Sequence, residues 1–238
     1  MKYMGSKNRI AKHIVPIMLA ERKPHQYWVE PFVGGANIID KVPTPRLGYD
    51  KDFYLIEALR LIRDNSESLP KNKQEFTEYD YKRVRDEKHK FDDGIVGYVG
   101  YALSYGGKWF GGWRRDKKGK RDYVKEAYKN VIKQSERLQD VELYCGDYKI
   151  FQYPPNSLIY CDPPYANATS YKNKFDHALF WDWCRKMVHR GHTVFVSEYD
   201  APDDFECIWQ KEITSSLTKN TGSKKGIEKL FKFKGDLK

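Results

Sequence analysis

Ser157-Leu158-Ile159-Tyr160-Cys161-Asp162-Pro163-Pro164-Tyr165 is an apolar run of strand length that ends in an acid, two prolines and an aromatic residue. A short apolar run bounded by turn signals reads as a buried strand. The prolines fix two successive φ angles and donate no backbone hydrogen bond. The Asp162 carboxylate, the Pro163 carbonyl and the Tyr165 ring are therefore presented from a stiff platform. An ordinary strand followed by a Pro-Pro turn is the plain alternative, and the rest of the chain decides between the two.

Upstream, Tyr27-Trp28-Val29-Glu30-Pro31-Phe32-Val33-Gly34-Gly35-Ala36-Asn37-Ile38-Ile39 reads as a strand entering a glycine turn and a short helical segment. Glycines there allow a tight turn and close backbone approach to a ligand, although the pattern is neither GxGxxG nor a phosphate loop. Arg46-Leu47-Gly48-Tyr49-Asp50 follows as a second strand ending in an acid, placed where a nucleotide-binding α/β unit holds two ribose hydroxyls. Val141 to Cys145 is a strand leading into Gly146-Asp147-Tyr148, Thr193 to Ser197 another, Ile208 to Ile213 one more, and Ile227 to Phe233 an expected terminal edge strand. Helical spacing appears at Ile10, Ile14, Ile17 and Met18, from Leu55 to Ile62, from Tyr123 to Leu138 and from His177 to His189. Strands alternating with helices predict an α/β fold, a mostly parallel sheet flanked by helices on both faces.

With 238 residues the chain suits one main domain with a small lobe attached. No apolar run approaches the roughly 20 residues of a membrane span, and the first residues are basic and turn-rich rather than a signal peptide, so no membrane and an intracellular setting are expected. Cys145, Cys161, Cys184 and Cys207 lack metal-type spacing and read as free thiols. Lys and Arg number 43 against 33 acids, a net charge of +10 that raises the prior for an anionic partner.

Residues 65 to 91 read as a solvated helical or loop region. Gly94 to Gly112 interleaves seven glycines with Tyr98, Tyr101, Tyr105, Trp109 and Phe110, and Trp113 leads into the basic run Arg114-Arg115-Asp116-Lys117-Lys118-Gly119-Lys120-Arg121. Aromatic wedges and charges on one mobile surface are what nucleic-acid binding uses. A solvated loop after a glycine-kinked helix is the alternative. Glu30, Asp50, Asp147 and Asp162 each fall at a strand end, and open α/β sheets bind ligands beyond the carboxyl ends of their strands. One crevice holding a nucleoside-bearing cofactor and a second flat ligand accounts for these acids, and a divalent ion on Asp50, Asp147 and Asp162 ranks below it.

With these residues in view, the sequence resembles the S-adenosylmethionine-dependent DNA adenine-N6 methyltransferases that include the GATC-methylating enzymes. Asp162-Pro163-Pro164-Tyr165 matches the catalytic D-P-P-Y motif, and Glu30-Pro31-Phe32-Val33-Gly34-Gly35 resembles the cofactor motif. Lys2-Tyr3-Met4-Gly5-Ser6-Lys7 is similar to the N-terminal segment packed over the cofactor's methionine end. The resemblance implies a Rossmann-like catalytic domain of residues 1–64 and 141–238, in the alpha-group motif order, with a smaller, mainly helical target-recognition domain, 65–140, inserted. It implies S-adenosyl-L-methionine bound by Tyr3, Lys7, Glu30, Pro31, Phe32, Gly34, Asp50, Asp147, Tyr148 and Asp162, with no metal. Catalysis falls to Asp162, Pro163 and Tyr165. Substrate contacts fall to Lys108, Trp109, Arg114, Arg115, Lys117, Lys118, Tyr171, Phe175 and Asn220.

Double-stranded DNA is the implied partner, with the target adenine flipped onto Tyr165. The implied setting is a bacterial cytoplasm or nucleoid, or a phage genome, with a cognate restriction endonuclease acting on the same site. Tyr105-Gly106-Gly107-Lys108-Trp109-Phe110 departs from the GATC enzymes' N-G-L-x-R-Y/F-N pattern, so their recognition sequence is not carried over. A noncatalytic nucleic-acid binder on the same fold, and methylation of cytosine-N4, RNA or protein glutamine, remain open alternatives.

Overall fold

The computed structural model describes residues 1–116, 118–165, 175–215 and 224–235. Seven strands form one sheet: β1 (Trp28–Glu30), β2 (Arg46–Asp50), β3 (Val141–Cys145), β4 (Leu158–Cys161), β5 (Thr193–Glu198), β6 (Phe205–Ser215) and β7 (Lys224–Phe233). Their order is β3-β2-β1-β4-β5-β7-β6. The first five are parallel, and β7 enters antiparallel between β5 and β6. Ile227 to Phe233, expected at the edge, is thus an inner strand. The antiparallel hairpin turns back into the sheet, and β6 takes the exposed position.

Every residue of β1 and β4 is buried, as expected of central parallel strands covered on both faces. Alternation then sends Trp28, Leu158 and Tyr160 into one hydrophobic cluster and Val29, Ile159 and Cys161 into another. The second cluster is closed by α6 (His177–His189) through Phe180, Trp181, Trp183, Cys184 and Met187. The first is closed by α1 (Ala11–Ala20), α2 (Phe53–Asn65), α3 (Glu78–Asp86), α4 (Asp93–Ala102) and α5 (Tyr123–Leu138).

That cluster includes residues read from sequence as solvated or as mobile wedges. Tyr81 and Val84 on α3 are buried, as are Tyr98 and Tyr101 on α4. The glycines explain why. A Cβ at Gly97 would lie 1.9 Å from the Tyr54 carbonyl oxygen, so α4 rides directly on the backbone of α2. Here the glycines serve close helix packing, and the aromatics between them fill the core. Tyr105, beyond the helix, is exposed.

The chain order reverses between β1 and β4: β2 and β3 continue to one side and β5 to the other. A crevice opens beyond the carboxyl ends of strands at such a switch point. Glu30 ends β1, and Asp162 directly follows β4.

Candidate functional site

The crevice has a volume of about 960 Å³ and gathers residues from the N-terminal segment, the glycine turn, β2, the D-P-P-Y turn and β7. That is the upper end of the range for ligand pockets, enough for a nucleoside cofactor and a flat second ligand together. One half of the crevice is built around Asp50. One carboxylate oxygen accepts the Gly34 N–H at 3.1 Å and the other the Asp52 N–H at 3.1 Å, so the acid is held in place before any ligand arrives. Burial nevertheless pushes its pKa up to about 6, against the lowering effect of those two bonds.

The glycine turn passes under Tyr3. Gly34 has φ +49°, and a Cβ at Gly35 would stand 2.7 Å from Tyr3 Cβ and 2.8 Å from the Met1 carbonyl oxygen. Only glycine lets these two segments meet. The N-terminal segment is clamped from its other side, where Met4 N–H donates to the Gly107 carbonyl at 3.1 Å. Tyr3 also packs on Tyr101 at 5.3 Å between centroids. Asp52 caps α2 by accepting the Leu55 N–H and receives the Tyr101 hydroxyl as well, tying α4 to the rim.

Glu30 lines the floor but turns inward, accepting the Trp28 indole N–H at 2.8 Å, and burial raises its pKa well above the carboxylate range. Asp147 and Tyr148 also line the crevice. Tyr148 is buried edge-on to Trp183 at 5.0 Å and tilted against Phe32 at 5.0 Å, while the Asp147 side chain is 41% exposed.

The other half centres on Asp162. Its Oδ1 accepts the Lys7 ammonium at 3.0 Å, and Glu228 stands 3.7 Å from the same nitrogen. Burial raises the Asp162 pKa to about 6, with Glu228 adding to the rise and Lys7 opposing it. The same ion pairs hold the Lys7 pKa above its ordinary value in spite of burial. The Lys7 ammonium also lies 4.3 Å from the Tyr165 ring centroid. Tyr165 donates its phenol to Glu228 at 2.8 Å and meets Tyr199 edge-on at 4.5 Å.

Other predicted residues fall in different places. Lys108 and Trp109 line the crevice itself, and Trp109 stacks on Tyr54 at 5.2 Å and packs on Tyr101. Phe175 packs among Phe32, Tyr148 and Phe180. Arg114 pairs with Glu126 and lies over Tyr123, and Arg115 pairs with Glu78. Lys118 is exposed, its backbone N–H on Asp116. Lys117, Tyr171 and Asn220 lie outside the described residues. Among those described, no three His, Cys, Asp or Glu side chains converge to hold a metal ion.

Sequence reasoning missed Tyr199, Tyr101 and Glu228. Glu228 was within reach: it lies two residues before Leu230, so the two side chains share one face of β7, and Leu230 is fully buried. Tyr101 was read as a wedge, and nothing in the local pattern marks Tyr199.

An open, mostly parallel sheet with a glycine turn after β1, an acid ending β2 and a large crevice at the switch point defines a nucleotide-cofactor-binding α/β protein of Rossmann type. Within that class, the family model described as D12 class N6 adenine-specific DNA methyltransferase matches residues 3–222, and the chain belongs to that family. No curated protein sequence matches it. Among solved structures it is similar to the crystal structure of SMU.472, described as a candidate methyltransferase complexed with SAH, at 12% identity and a TM-score of 0.37. That alignment covers 95% of this chain and 52% of the other, so the chain spans about half the length of its structural match. No helix among the described residues is long and apolar enough to cross a membrane.

Proposed function

We propose that the chain transfers a methyl group from S-adenosyl-L-methionine to the N6 amine of an adenine rotated out of duplex DNA. The observation that carries the reading is that the Asp50–Gly34 cradle and the Asp162–Tyr165 turn open into one crevice. The residues fit such a cofactor. Asp50 offers a preorganised acceptor for two ribose hydroxyls, and the glycine turn allows close approach of the backbone. Asp147 and Tyr148 would flank the base and Tyr3 the amino-acid end, while Lys108 and Trp109, which line the same crevice, would meet the substrate. When bound, the cofactor supplies an electrophilic methyl group on a positively charged sulfur.

The chain's own task is to make a poor nucleophile react. The lone pair of an exocyclic adenine amine is delocalised into the ring. The Asp162 carboxylate and the Pro163 carbonyl accept its two N–H bonds and favour a pyramidal nitrogen whose lone pair points at the methyl group. Both acceptors stabilise the positive charge that grows on the nitrogen as its bond to carbon forms. The methylated amine then gives up a proton, with Asp162 in contact to receive it. Tyr165 supplies the face on which the flipped base stacks, at a cost of a few kcal/mol for unstacking.

Target recognition belongs, in this reading, to residues 65–140, carried on the catalytic framework of 1–64 and 141–238. The basic run 114–121 and the exposed Tyr105 support that division. A bacterial cytoplasm or nucleoid, or a phage genome, and a cognate restriction endonuclease complete the proposal. The test is incubation of duplex DNA with labelled cofactor, followed by digestion to nucleosides. N6-methyl-2′-deoxyadenosine is the expected product. N4-methyl-2′-deoxycytidine, or no label on DNA while parallel incubations with RNA or protein become labelled, would refute the assignment.

A further inference from the structure

We propose that Glu228 is a positioning residue of the transfer site: it holds the Tyr165 ring through its phenol, and it receives the Lys7 ammonium when the substrate amine takes the Asp162 oxygen that Lys7 occupies at rest. The inference rests on the function proposed above.

The geometry begins with an occupied acceptor. Lys7 Nζ lies 3.0 Å from Asp162 Oδ1 and 4.3 Å from the Tyr165 centroid. A nitrogen donor on that carboxylate, above that ring, already makes the contacts an incoming adenine amine needs. The ammonium cannot keep its place once the amine arrives, and a fixed positive charge there would oppose the charge growing on the amine. Its remaining partners are the Gly5 carbonyl at 3.2 Å and Glu228 Oε2 at 3.7 Å. A movement of about 1 Å brings the ammonium from Asp162 into hydrogen-bond contact with Glu228.

Charge and hydrogen bonding both require an acid at this position. Lys7, Asp162 and Glu228 together carry one positive and two negative charges, a net −1 that suits both a cationic methyl donor and an amine becoming positive. Without Glu228 the cluster is neutral, and among the described residues Lys7 is left with Asp162 as its carboxylate partner. The same Glu228 oxygen accepts the Tyr165 phenol at 2.8 Å, which fixes the plane on which the base stacks. An acid facing inward from a strand is costly unless it is paired, and Glu228 is buried with both partners in the transfer site. Among the described residues, the titratable groups facing Asp162 and Glu228 from neighbouring elements are Lys7, Glu30, Tyr160, Tyr165 and Tyr199.

The test compares Glu228→Gln and Glu228→Asp with the parent enzyme. Gln keeps the acceptor for Tyr165 and removes the charge. The expected result for E228Q is kcat lower by about ten- to a hundredfold, with cofactor affinity kept. The acid limb of kcat/KM should move down by about half a pH unit or more, because a like charge beside Asp162 is gone and Lys7 binds Asp162 alone. The carboxyl carbon of Asp162, followed by NMR in the unliganded protein, should titrate lower by the same amount. E228D keeps the charge and should return the limb to its original place. Unchanged kcat in E228Q, or a loss of kcat with no movement of the limb or the carbon titration, overturns the proposal. A parent enzyme inactive on DNA refutes the functional reading instead, while the NMR titration still decides the coupling.

Discussion

Replacing Lys7 by Met removes the cation that pairs with Asp162 among the described residues and keeps most of the side chain's length. Asp162 already has its pKa raised to about 6 by burial, with the ammonium at 3.0 Å opposing the rise. An opposite charge this close lowers a carboxyl pKa by about one to three pH units, so its loss should raise the Asp162 midpoint to about 7–9. The sign follows from the chemistry. Only the ionised carboxylate accepts both the charge and the N–H of the amine, so activity appears as pH rises through the midpoint. At pH 7.5 a midpoint near 6 leaves about 97% of Asp162 ionised, and one near 8 leaves about 24%. K7M should therefore lose about fourfold in kcat/KM at pH 7.5 from this cause and regain it near pH 9. Initial rates on duplex DNA between pH 5 and 9.5 measure the limb directly. A limb that stays in place, or moves to lower pH, would refute the coupling of Lys7 to Asp162.

The remaining predictions concern the cofactor half and the core. Asp50→Ala removes the acceptor held by the Gly34 and Asp52 amides, and should weaken cofactor binding about ten- to a hundredfold by calorimetry while the fold persists; a dissociation constant within twofold of the parent would contradict the ribose assignment. Gly97→Ala forces a Cβ to 1.9 Å from the Tyr54 carbonyl, and should cost about 1–3 kcal/mol in denaturant unfolding as α4 is pushed from α2; an unchanged midpoint would show that the two helices are not locked together. Glu228→Gln, as argued above, should move the acid limb opposite to K7M.

The strands and their acids were legible because buried parallel strands are short apolar runs with polar ends, and Leu158 to Asp162 and Arg46 to Asp50 have that form. Tyr123 to Leu138 and His177 to His189 were legible as helices because their apolar residues recur on one face. The α4 part of the glycine-aromatic block, with Tyr98 and Tyr101, was misread, since periodicity cannot distinguish glycines that loosen a surface from glycines that let two helices touch. Sheet order was equally hidden: only long-range pairing tells that β7 lies inside β6. The Asp162–Lys7–Glu228–Tyr165 cluster joins residues about 220 positions apart. Motif order revealed three of its members, and Glu228 was marked only by its register with the buried Leu230 on β7.

The most direct measurement is single-turnover methyl transfer to duplex DNA by Asp162→Ala, with cofactor affinity determined on the same preparation. Loss of an acceptor aimed at developing charge should lower the rate by at least about a hundredfold and leave the dissociation constant for cofactor nearly unchanged. Transfer at close to the parent rate would mean that the amine is held elsewhere and that the end of β4 is not where the reaction occurs.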